Sequence, residues 1–113
     1  MAVWEDVANK VADKKFWIVS TMLVGATIYD AESTYYALDK CRTCFEANPV
    51  MRPFVKSGRP SLYAVQSAIN AGIIIYSYKM KKNDEKLWWL IPVVVASAHS
   101  IAGTHNIRIA ISF

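Results

Sequence analysis

Six polar side chains stand out for what they could do together: Asp30 and Thr34, Gln66 and Asn70, His99 and Asn106, one pair in each of three otherwise apolar stretches. The members of a pair are four or seven residues apart, which places both on one face of a helix. Three such polar stripes, if they meet, put a carboxylate, an imidazole and three amides in one place. The chemistry open to His99 is of three kinds. A neutral ring can hydrogen-bond to Asp30, Gln66 or Asn70 on a facing helix as interhelical glue. It can serve as the axial ligand of a haem or a chlorophyll-type pigment, or bind a divalent metal beside Asp30 with Glu46 as a further ligand. His105 is six residues on and the chain holds no third histidine, so a facing helix offers no second imidazole. Asp30 with Thr34 reads either as a capped helix break or as an acid poised by burial for proton transfer.

Two further motifs lie between the first and second stretches. Cys41 and Cys44 form a C-x-x-C, and they are the two cysteines of the chain. With no flanking histidine they read as incidental thiols or a local disulfide, as a redox pair, or as part of a metal site. Glu46, Asn48 and Pro49 set an acid, an amide and a rigid turn within four residues. Orphan backbone groups at a helix end need such partners, so this motif is expected to fold back against the bundle. Nothing resembles a nucleophile elbow, a P-loop or H-E-x-x-H, and no nucleophile-and-base set points to an enzyme.

The elements that must position these groups follow from where charge is absent. The chain is 54% hydrophobic and 19% charged, with its charges crowded into residues 1–15, 39–59 and 79–86. A soluble bundle would spread Lys and Glu along each helix; the segregation suggests instead bilayer-crossing helices over 16–38, 61–78 and 87–111. Residues 1–15 read as an amphipathic helix lying in the interface, with Val3, Trp4, Val7 and Val11 on one side and Lys14 and Lys15 at its end. The expected fold is an all-α membrane protein in two parts, an interfacial helix over 1–15 and a three-helix transmembrane domain over 16–113. Asp30 and Glu32, two residues apart on the first helix, project to nearly opposite sides. The net charge of +4 comes without a basic stripe interleaved with aromatics, which argues against a nucleic-acid partner. Cations at the ends of the apolar stretches imply the lipid bilayer as the partner instead.

In order and spacing, D-A-E-S-T (30–34), E-A-N-P (46–49) and H-S-I-A-G-T-H-N (99–106) resemble an uncharacterised family of small bacterial three-span membrane proteins. The resemblance covers about residues 20–110 and departs at Cys41 and Cys44, where the family pattern has a glycine-containing turn. It marks Asp30, Thr34, Glu46, Asn48 and Asn106 without giving them a role, and with it goes an expected location in the bacterial inner membrane. The expected function is a non-enzymatic accessory or structural subunit that docks on other membrane subunits or on itself. Two alternatives stand beside it: a pigment- or haem-binding subunit through His99, and an intramembrane metal-dependent hydrolase using Asp30, Glu46 and His99.

Overall fold

Buried residues recur at three- and four-residue intervals along the long helices, and this seam sets the architecture. The structure, a computed structural model, describes residues 11–41, 44 and 49–112. The described residues form four helices, α1 (Lys14–Lys40), α2 (Arg52–Lys56), α3 (Arg59–Lys82) and α4 (Leu90–Ile111), and no strand. Asp13 starts α1: its Oδ1 accepts from the Phe16 amide at 3.0 Å, while its Oδ2 meets Lys81 Nζ at 2.9 Å. One carboxylate thus caps α1 and ties it to the end of α3. Gly58, at φ 103°, turns the chain into α3 in a conformation that side chains disfavour, and Pro60 follows in the first turn. Lys79, Lys81 and Lys82 fill the last turn of α3, where cations complement the helix dipole.

On α4, Pro92, Ala96, Gly103 and Ala110 are buried, with the partly buried His99 and Asn106 between them. Their intervals of four and three are those of a heptad seam. On α1 the matching line is Phe16, Ser20, Leu23, Thr27, Ala31, Thr34 and Ala37. Most of these side chains are small, so α1 and α4 approach closely and form the principal helix pair. They run parallel, with Phe16 beside Trp88, Asp30 beside His99 and Thr34 beside Asn106. α3 runs against both: Phe16 meets Tyr78, Thr27 meets Asn70 and Glu32 meets Arg59. The short α2 folds back over one end. Its Val55 is buried with Ala31 and Leu62, and Tyr35 Oη donates to the Val55 carbonyl at 3.1 Å.

Among the described residues no helix is long and apolar enough to cross a membrane, and this overturns the transmembrane fold and the class of integral membrane protein expected from the sequence. Length is not what fails, since α1, α3 and α4 have 27, 24 and 22 residues. A span needs about 20 predominantly apolar residues. The apolar run of α1 stops at Tyr29 and the helix continues through Asp30, Glu32 and Asp39. α3 carries Gln66, Ser67, Asn70 and Ser77, and α4 carries His99, Ser100, Thr104, His105, Asn106 and Arg108. Counting charges misses these uncharged polar groups, which is why the charge-poor stretches looked more apolar than they are. Each helix lies close to its expected position, and α4 starts three residues later than expected, after a turn through Trp88. The helix expected over 1–15 falls mostly outside the described residues.

Candidate functional site

Asp30 stands at the centre of the bundle's polar groups. Its Oδ2 lies 2.6 Å from Nδ1 of His99, and its Oδ1 lies 3.5 Å from Nδ2 of Asn106. An ionised carboxylate can only accept, so Nδ1 carries the hydrogen of this contact. Both side chains are largely shielded, at 18% and 22% exposed. Low local dielectric strengthens such a bond and raises the cost of breaking it.

The orientation of the surrounding amides follows from where the hydroxyl hydrogens go. Ser33 Oγ and Thr34 Oγ1 both donate to the Asp30 carbonyl, at 2.9 and 2.8 Å. Having spent their hydrogens there, they can only accept from Asn106, whose Nδ2 lies 3.1 and 3.0 Å away. Thr27 repeats the device toward α3: its hydroxyl donates to the Leu23 carbonyl at 2.7 Å and accepts from Asn70 Nδ2 at 3.0 Å. Hydroxyls of α1 are therefore sockets into which the amides of α3 and α4 plug. Thr27 and Ser33 were not among the residues singled out from the sequence. Thr27 carried a signal, being seven residues before Thr34 and seven after Ser20 on the same seam; Ser33 carried none.

Between α1, α3 and α4, under α2, lies a cavity of about 270 Å³ whose polar lining is Asp30, Thr34, Gln66, Asn70, His99 and Asn106. All six polar residues of the sequence stripes therefore border one space. Gln66 is buried yet its Oε1 has no hydrogen-bond partner among the described residues. For a metal the fit is thin, because no group of three His, Cys, Asp or Glu among the described residues is placed to hold one. Of the set Asp30, Glu46 and His99, the structure brings Asp30 and His99 together, and Glu46 lies outside the described residues, as does Asn48. Pro49 sits exposed in a turn ahead of α2. Cys41 and Cys44 are joined in a disulfide just beyond α1.

Glu32 projects away from Asp30 and clasps α3 instead. Arg59 Nε and Tyr63 Oη each donate to its Oε2 at 3.0 Å. The bond from Arg59, and then that from Tyr63, hold its carboxyl below the usual range. A depressed pKa contributes stability that is present above the unfolded value of about 4.3 and is lost as pH falls through the folded value. The clasp is solvent-exposed, so the effect is small. Thermal melts of the wild type and Glu32→Gln should therefore differ at pH 6 and converge toward pH 3. A difference that does not narrow at all as pH falls from 6 would show that the clasp is not ionic.

No curated protein and no solved structure matches the chain. A family match does exist over residues 21–111, and it takes in Asp30, Gln66, Asn70, His99 and Asn106 together with the helices that place them. The chain belongs to that uncharacterised family, described as a domain of unknown function (DUF5658).

Proposed function

We propose that the protein is a non-enzymatic accessory or structural subunit that works by associating with other chains or with copies of itself. The observation that supports this is what the bundle leaves uncovered. Trp17, Ile18 and Met22 on α1, Ile75 on α3 and Ile101 and Ile111 on α4 are all exposed, Ile101 by 72% and Ile111 by 74%. The largest fully buried side chains are Leu23, Leu62 and Pro92. Apolar surface on this scale marks interaction sites, and helices of 22 to 27 residues, about 33–40 Å at 1.5 Å per residue, offer a partner helix a long line of contact. In this reading the Asp30, His99 and Asn106 cluster sets the register of α4 on α1, the best-attested use of polar groups in an apolar seam.

Light scattering on the purified chain tests self-assembly, and photo-crosslinking in cells from position 101 tests docking on other chains. The expected result is a mass above the monomer, or a discrete crosslinked partner, with Ile101→Glu weakening the association at least tenfold, about 1.4 kcal/mol. A monomer up to about 1 mM that forms no crosslink removes the proposal. A second reading, His99 as the ligand of a haem or pigment, is favoured by the carboxylate behind Nδ1, which is how metal-bound histidines are oriented with Nε2 outward. An absorbance spectrum decides it: a Soret or near-infrared band supports this reading, and a colourless purified protein removes it.

A further inference from the structure

We propose that the cavity under α2 binds a small primary ammonium ion carrying a short apolar group. The argument rests on which hydrogen-bonding groups around the cavity are already used. Asn106 and Asn70 both present their amide nitrogens to hydroxyls of α1, because those hydroxyls have given their own hydrogens to helix carbonyls. Each amide oxygen is left with no donor among the described residues. His99 is held in the same way, its Nδ1–H on Asp30. Gln66, 8% exposed, adds an amide whose Oε1 has no donor among the described residues and whose Nε2 hydrogens are unspent as well. With the Asp30 carboxylate, acceptors outnumber donors in the unspent capacity of the cavity, the Gln66 amide nitrogen being the donor.

An acceptor surplus next to one carboxylate, with no Lys or Arg on the lining, is the complement of a cation that donates several hydrogen bonds. A primary ammonium has three such donors and no acceptor. The remaining wall is apolar, from Ala31, Val55, Leu62 and Ile69, so an alkyl or aryl group on the nitrogen would be covered as well. At about 270 Å³ the space lies just below the range of about 300–1,000 Å³ common for drug-sized ligands, which suits a molecule of few heavy atoms. A buried amide oxygen without a partner is costly to the empty protein.

Calorimetry on the full chain with n-butylammonium chloride, set against butan-1-ol and sodium butyrate, tests the inference. Saturable one-to-one binding of butylammonium is expected, at least tenfold tighter than either control. Asp30→Asn should weaken it at least tenfold. Because that change also touches the helix interface, Gln66→Met supplies an independent check: it should weaken butylammonium binding while leaving the melting temperature of the empty protein unchanged or raised. Four results would overturn the proposal. They are no saturable binding for any of the ethyl to hexyl ammonium ions, butan-1-ol binding as tightly as butylammonium, equal displacement by potassium chloride and by a second ammonium, and undiminished affinity in Gln66→Met.

Discussion

Gly103→Val is expected to destabilise the protein by about 3 kcal/mol, the upper end of what overpacking a filled interface costs. Gly103 is buried in the seam, and a Cβ built on it would fall within the ring of Tyr29 on α1. That ring is not free to yield without loss, because Tyr29 Oη shares a hydrogen bond with Thr104 Oγ1 at 3.1 Å. It is 40% exposed, so the ring can swing outward when pushed, at the price of that bond and its cover over the glycine. For Gly103→Ala the clash is set against a gain of about 1 kcal/mol in helix propensity, and the net loss should be smaller than for valine, which lacks most of that gain and is branched at the point of contact. Chemical denaturation of the single variants and of Tyr29→Ala/Gly103→Ala measures this. Removing the ring should rescue the added methyl, so the double variant should be more stable than the sum of the two single losses implies. Strict additivity would mean that Tyr29 does not limit the approach of α4.

The parts of the fold that the sequence revealed are those written as charge segregation and periodicity. Three long helices follow from the charge-poor stretches over 16–38, 61–78 and 87–111, and the four- and seven-residue spacing of their polar pairs gives the faces that meet. The opposite projection of Asp30 and Glu32 follows from helix geometry alone, and the structure sends one to His99 and the other to Arg59. What did not follow was the environment of the outer faces. Exposed Trp17, Ile18 and Ile101 carry no label that separates one apolar partner from another, and the charge-poor stretches hid their Ser, Thr and Asn content. The five-residue α2 was also illegible, since Pro53 and Gly58 announce a turn and only packing against Ala31 and Leu62 makes a helix of the residues between. Around the site, the stripes named Asp30, Thr34, Gln66, Asn70, His99 and Asn106, whereas the hydroxyl sockets at Thr27 and Ser33 depend on where a rotatable hydrogen points. A residue type does not disclose that.

Asp30→Ala should be the most damaging change among the polar residues, at about 2–3 kcal/mol, because it leaves His99 Nδ1–H and part of the Asn106 amide without their acceptor in a shielded place. The pair is about one-fifth exposed, so water reaches the stranded groups in part, and the loss should fall short of the largest values seen for wholly buried pairs. Asp30→Asn keeps the size and one acceptor oxygen and gives up the charge that strengthens a short bond; about 1 kcal/mol is expected. His99→Phe keeps the ring's bulk in the seam but leaves the carboxylate with Asn106 alone. If the two residues act on each other, Asp30→Ala/His99→Phe should cost less than the two single changes together, with a coupling of about 1–3 kcal/mol. Urea denaturation of the four proteins of this cycle measures that coupling directly. A coupling within about 0.5 kcal/mol of zero would mean that the 2.6 Å contact contributes nothing to holding α4 on α1, and the register of the two helices would then rest on the small residues of the seam.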